Sequence, residues 1–332
     1  MSRIRVLALF LMLAGPAAAR AHHGVAAVGV GGPEGPGAAL ETSSPLPLAQ
    51  RTLFAMIKSE AVPFQQRAVA DPENKTFSLF DTLGVGYGIL PWLSAYAFIP
   101  YNVKSADTLG TNAGFGNPNL MLAAGLKWDE GLRPVPEKES LDELMDWHFG
   151  AWVSGTLPLG PTTARDDLGG YFAPDMQTGF GEPSLGAGLS IMKQVSEPLT
   201  WLAEVSHQRF LAHTYPFTRY RFGAETRANT ALVWRVHGSG AFRLDLCGEL
   251  NGLHLERDRE QDGTGAMVPL QASGGDILYA GGGLRATWGT VSLGLGVRRA
   301  AWKDLNEESE QQGSEGLELL RAALTLGWST RL

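Results

Sequence analysis

Apolar and polar side chains alternate one by one along residues 221–255. In the first arm Phe222, Ala224, Thr226, Ala228, Thr230, Leu232, Trp234 and Val236 share one parity. Arg221, Gly223, Glu225, Arg227, Asn229, Ala231, Val233 and Arg235 share the other. After His237-Gly238-Ser239-Gly240, a second arm sets Phe242, Leu244, Leu246, Gly248 and Leu250 against Arg243, Asp245, Cys247, Glu249 and Asn251. A period of two places successive side chains on opposite faces, so the stretch predicts a β-hairpin. Each arm exceeds the ~5–6 residues of an ordinary strand and reaches the ~9–11 that a tilted strand needs to cross a bilayer. One face carries both signs of charge and amides; the other is apolar.

The pattern recurs down the chain. Leu83, Val85, Tyr87 and Ile89 oppose Thr82, Gly84, Gly86 and Gly88; Leu185, Ala187, Leu189 and Ile191 line up in the same way. In the last run Leu320, Ala322, Leu324, Leu326 and Trp328 face away from Arg321, Thr325, Ser329 and Arg331. Strands are predicted at 51–62, 76–89, 94–103, 117–127, 147–157, 182–192, 200–211, 221–236, the second arm ending at 255, 275–288, 291–299 and 317–332. The prediction is an all-β fold: a transmembrane, antiparallel, up-and-down β-barrel of about twelve strands, apolar toward lipid and polar toward the lumen. The connections test the count. Those at 90–93, 129–146, 193–199, 237–240 and 289–290 should be the short periplasmic turns, and only 129–146 is longer than that role requires. Those at 63–75, 104–116, 158–181, 212–220, 256–274 and 300–316 should be outer loops. Trp92, Trp128, Trp147, Trp201, Tyr220, Phe222, Trp234, Trp288, Trp302 and Trp328 fall near strand ends, where amphipathic rings suit the headgroup boundary.

The N-terminus reads as a cleaved export signal at 1–21: Arg3 and Arg5, an apolar run at 6–14, then Ala19-Arg20-Ala21. The mature chain then starts at His22. Residues 22–50 are rich in Gly, Pro and Ala without periodicity, a flexible periplasmic segment able to plug the barrel mouth. The barrel occupies 51–332. Export plus long alternating strands places the chain in a bacterial outer membrane.

Composition adds exclusions. Only 18% of residues are charged and mean hydropathy is −0.06, so any membrane character resides in alternation rather than in an apolar helix. A net charge of −7 without a basic cluster argues against nucleic acid. The single cysteine, Cys247, rules out an intrachain disulfide framework.

Two short stretches open strands with the same wording: Gly114-Phe115-Gly116-Asn117-Pro118-Asn119-Leu120 and Gly179-Phe180-Gly181-Glu182-Pro183-Ser184-Leu185. Glycine permits a tight backbone at the rim, and proline at a strand start costs no ladder hydrogen bond. With these openings the chain resembles the outer-membrane transporter-like barrels grouped with the phenol-degradation meta-pathway proteins. The resemblance implies a bacterial outer-membrane barrel linked with uptake of hydrophobic or aromatic compounds. It carries over no substrate residues, and the chain departs from the usual aromatic C-terminus by ending in Leu332.

The candidate lumen set is Arg221, Glu225, Arg227, Asn229, Arg235, Arg243, Asp245, Glu249, Tyr279, Arg285, Arg298 and Arg321. Either these residues tune an open or gated pore, or they pair as an ion network that fills the interior; a barrel of ~12 strands lies between the filled and the water-filled sizes. The sequence thus predicts passive or gated passage of small solutes, by a barrel expected to be a monomer. Its partners are outer-membrane lipid, lipopolysaccharide, the barrel-assembly machinery and a small-molecule solute. The charged lumen favours polar solutes, whereas the resemblance favours apolar ones. The alternative is a copper or other metal-ion barrel, in which His22 and His23 at the mature N-terminus supply imidazole nitrogen. A lipid hydrolase is disfavoured, because His148, Ser154, His207 and Asn229 have no spacing that joins them. A soluble β-sandwich leaves the strand length unexplained, and nothing before the barrel is large enough to be an autotransporter passenger.

Overall fold

The computed structural model describes residues 39–65, 75–139, 141–307 and 317–332. Twelve strands form the wall: β1 (Thr52–Pro63), β2 (Lys75–Leu90), β3 (Leu93–Ala106), β4 (Asn119–Trp128), β5 (Trp147–Thr156), β6 (Ser184–Ser196), β7 (Leu199–Phe210), β8 (Glu225–Ser239), β9 (Phe242–Leu255), β10 (Gly275–Trp288), β11 (Val291–Leu305) and β12 (Arg321–Arg331). Every neighbouring pair is antiparallel, and β1 pairs with β12 from Thr52↔Arg331 to Ala61↔Ala322, so the sheet closes on itself. Closure leaves the wall without an edge, which is the condition for β-structure in a bilayer. This is the architecture of an outer-membrane barrel. No helix among the described residues is long and apolar enough to cross a membrane.

The faces follow the alternation. In β8, Leu232 and Trp234 are exposed outward while Glu225, Asn229, Ala231 and Val233 are buried inward. In β9, Leu246 and Leu250 are outward, with Asp245, Cys247, Glu249 and Asn251 inward. Leu83, Leu122, Leu189, Leu293 and Leu326 continue the apolar belt on other strands.

The tryptophan belt is lopsided. Trp128, Trp147, Trp234, Trp288 and Trp328 are exposed at the short-turn end, and only Trp302 stands at the long-loop end. Trp147 packs edge-on against Trp201, with centroids 6.1 Å apart. Tyr220 and Phe222 are not part of it. They are buried in an aromatic cluster with Phe210 and Tyr215, to which Phe180 adds an edge.

That cluster corrects one predicted boundary. The eighth strand starts at Glu225, not at residue 221, although the parity of 221–224 continues unbroken. Burial of Phe222 among the rings draws the chain away from the ladder. Arg219–Arg221 instead joins His213–Thr214, Arg259–Gln261 and Met267–Pro269 in a separate four-stranded sheet over the long-loop end.

The lumen is also less uniformly polar than the alternation predicts. Phe54, Met56, Tyr96, Phe98 and Met121 are buried inward, packed with Leu48. The glycines of β2 make room for them. A Cβ on Gly84 would stand 2.9 Å from Met56 Cγ, and one on Gly86 would stand 2.6 Å from Tyr96 Cδ1. The 129–146 connection is long because it folds back under the barrel. Leu132–Pro134 pairs with β4, a short helix spans Leu141–Leu144, and Glu139 reaches the inward Lys127 and His148.

Candidate functional site: the barrel lumen

Residues 39–50 run inside the barrel across its short-turn half, touching strand after strand. The carboxylate of Glu249 in β9 anchors them. It accepts from the backbone amides of Leu40 at 2.5 Å, Glu41 at 3.1 Å and Thr42 at 3.1 Å, and from Thr42 Oγ1 at 3.1 Å. A carboxylate has about four lone-pair sites, so one side chain satisfies a whole turn of backbone that would otherwise be buried without partners. Arg285 donates to the Ala39 carbonyl at 2.7 Å, Glu204 accepts from Ser43 N at 3.0 Å, and Ser94 Oγ accepts from Leu48 N at 2.9 Å.

The wall is thinned where the segment passes. Gly283 and Gly296, paired across β10 and β11, receive Leu40; a Cβ on either would stand 2.5 Å or 2.8 Å from its Cδ1. Gly125 and Gly150 receive Pro47 and Pro45 in the same way.

Beside the anchor lies a balanced ion network. Lys58 Nζ is 2.7 Å from Glu41 and 3.6 Å from Glu60. Arg298 reaches Glu60 at 3.2 Å and Glu41 at 3.5 Å, and Arg321 reaches Glu60 at 3.0 Å and pairs with Glu318. Tyr279 donates to Glu318 at 3.1 Å, and both guanidinium groups stack over its ring at 5.5 Å and 5.6 Å. Three cations meet three carboxylates, so burial leaves no net charge here. Glu41 belongs to the inner segment, which ties that segment into the network. A small cavity adjoins it, lined by Leu40, Glu249, Asn251 and the glycines of β10.

A second, larger cavity occupies the long-loop half above Ser43. Glu204, Glu225, Arg227, Asn229 and Asn119 line it together with Phe98, Met121 and Trp152. Arg227 pairs with Glu225 at 2.6 Å. Over this cavity the loop between β5 and β6 turns inward: Lys104 donates to the carbonyls of Asp175 and Gln177 at 2.8 Å and 2.7 Å, and Asn112 to that of Met176 at 2.9 Å.

The structure brings eleven of the twelve candidate lumen residues to the inner face of the wall. Arg243 pairs there with Asp245 at 2.7 Å. Arg235 stands near the short-turn end, and its Nε has no partner among the described residues. Arg221 is the exception and lies in the outer sheet. Burial, with Arg259 and Arg209 close by, pulls its guanidinium below its ordinary pKa. Nearby, burial raises the Tyr215 hydroxyl. Lys58, Glu60, Glu204 and Glu318 were not singled out by the sequence reading. Lys58 and Glu60 share the inward parity of β1 and were legible; Glu41 lies in an aperiodic stretch and was not.

His22, His23 and the signal segment lie outside the described residues. Among the described residues no cluster of histidine, cysteine and carboxylate side chains could hold a metal ion. Of the hydrolase pieces, Ser154, His207 and Asn229 line the second cavity, where His207 bonds to Thr226 at 2.9 Å and Asn229 to Glu204 at 3.2 Å, while His148 bonds to Glu139 at 3.0 Å.

The two sequence openings meet in space. Asn117 Oδ1 accepts from Gly160 N at 2.9 Å, and Gly160 packs on Gly179. Gly181 has φ +73°, and a Cβ on it would run into the His213 ring.

No protein-family profile matches the chain, and no curated protein matches it. Solved structures do match. An outer membrane channel from Pseudomonas putida F1 superposes with a TM-score of 0.64 at 12% identity, covering 86% of this chain and 97% of that one. That likeness shows the fold. A TodX monoaromatic hydrocarbon channel carrying deletions matches at a TM-score of 0.47 and 11% identity, over 94% of this chain and 98% of that one. The beta domain of the Bordetella autotransporter BrkA matches at 0.42 and 10%, over 85% and 99%.

Proposed function

We propose that the chain is an outer-membrane channel that passes small solutes down their gradient, with residues 39–50 as its internal restriction. The observation that carries this reading is the pair of cavities inside an apolar-coated barrel, lined by charged and amide side chains. A wall built only for stability would have its inner face packed dry, because a buried polar atom without a partner costs about 1–3 kcal/mol. Here Asn119 Oδ1, Asn251 Oδ1 and Arg235 Nε line the lumen without partners among the described residues. Water or solute in the lumen would satisfy them.

The balanced ion network and the inward loop favour a narrow passage over a wide pore. The apolar inner patch at Phe98 and Met121 reconciles the two solute hints, since polar and apolar side chains line the same cavity. The meta-pathway resemblance of the 114–120 and 179–185 openings supports aromatic solutes. The outer face would contact outer-membrane lipid and lipopolysaccharide. We place folding with the barrel-assembly machinery and take the monomer as the working unit.

Proteoliposome swelling tests the reading. Vesicles carrying the refolded chain should swell in isosmotic solutions of small solutes of roughly 100–200 Da and stay closed to large oligosaccharides. Vesicles that swell no faster than empty ones would refute it.

A further inference from the structure

The larger cavity has a charge that the wall does not balance. Glu204 lines it and accepts three hydrogen bonds, from Ser43 N at 3.0 Å, Trp152 Nε1 at 3.2 Å and Asn229 Nδ2 at 3.2 Å. All three donors are neutral. Among the described residues no Lys, Arg or His stands within ion-pair distance of Glu204, although its side chain is buried. The Glu225–Arg227 pair beside it is already neutral. By formal charge the lining holds two carboxylates, Glu204 and Glu225, against one guanidinium, Arg227. A second acceptor is also unmet: Asn119 is 6% exposed, and its Oδ1 has no hydrogen-bond partner among the described residues. Phe98, Met121 and Trp152 line the same cavity, Phe98 beside Asn119 across the ladder and Trp152 bonded to Glu204. Ligand pockets commonly combine an apolar lining with a few fixed polar groups.

From this arrangement we infer that the larger cavity is a binding site for an amphipathic organic cation: a compact ammonium group on a flat apolar body. The ammonium supplies the counter-charge missing at Glu204. The apolar body lies along Phe98, Met121 and Trp152, and a Trp ring also attracts a cation placed over its face. A neutral analogue would keep the apolar contact but leave Glu204 without a counter-charge. An anion of the same shape would meet like charge and find the one guanidinium already paired. The inference rests on the channel reading only for the claim that solutes reach this cavity.

Binding is measured by calorimetry on the mature protein in phosphatidylcholine nanodiscs, with empty nanodiscs as the blank. The probes are 2-phenylethylammonium, 2-phenylethanol, phenylacetate and methylammonium. The expected result is saturable binding of 2-phenylethylammonium at least about tenfold tighter than any of the others, because a charge-assisted hydrogen bond contributes roughly that factor. Glu204→Gln should weaken it about tenfold. Met121→Ala, which shortens the apolar lining, should weaken it several-fold and keeps the test decisive if Glu204→Gln fails to fold. Equal binding of 2-phenylethanol, phenylacetate or methylammonium overturns the inference, as does unchanged affinity in both variants. The swelling assay separates the two readings. Vesicles that admit solutes while calorimetry shows no cation preference sink the site and leave the channel. Saturable, Glu204-dependent binding in a barrel that admits nothing sinks the channel and leaves the site.

Discussion

Single residues decide which way each strand faces and what fits inside. Leu246 shows the outer face: it is exposed in β9 between the inward Asp245 and Cys247. Leu246→Arg should cost about 2–4 kcal/mol near the bilayer midplane, read as a lower urea midpoint for unfolding from vesicles. Gly86 shows the inner face. The Cβ of Gly86→Ala would press on the Tyr96 ring at 2.6 Å and on Leu48 at 2.9 Å, so overpacking should lower stability by about 1–3 kcal/mol in the same assay. An unshifted midpoint in either variant would contradict the assignment of faces. Alternation made the charged inward residues of β8 to β12 readable from sequence, because charge on one parity beside leucine on the other has one solution in a membrane. The inward rings Phe54, Tyr96 and Phe98 were not readable. An aromatic residue is compatible with either face, and only the glycines across the ladder reveal which one has room.

At the scale of elements, the inner segment and the wall depend on each other through a few carboxylates. Residues 39–50 have no regular secondary structure, so their backbone amides need acceptors from elsewhere, and Glu249 supplies them. Glu249→Ala removes the acceptor of three consecutive amides. A spin label at residue 44 in a Cys247→Ala background should then gain mobility, while the barrel keeps its β circular dichroism. A label as immobile as in the parent would show that Glu249 does not hold the segment. The Gly, Pro and Ala content of 22–50 marks that stretch as aperiodic, but composition holds no record of contact partners. Pairing between Glu249 and residue 41 spans 208 positions, and no periodicity reports so long a separation. The eighth strand makes the opposite point. Its parity runs on through 221–224, yet the ring cluster around Phe222 breaks the ladder and carries Arg221 into the outer sheet.

For the whole molecule, closure of the β1–β12 seam removes the last free edge and separates an apolar exterior from a polar interior. The strand count was legible because a miscounted strand would scramble the alternation of short turns and long loops. The one long turn, 129–146, kept the rule by folding under the barrel with Glu139 bonded to His148. What the barrel does follows from whether that interior is continuous. Single-channel recording of the refolded mature protein in a planar bilayer tests this most directly. The account predicts small, discrete conductance steps from the parent chain and larger steps from Glu249→Ala, in which the inner segment loses its anchor. A correctly folded, heat-modifiable barrel that passes no current in either form would contradict it.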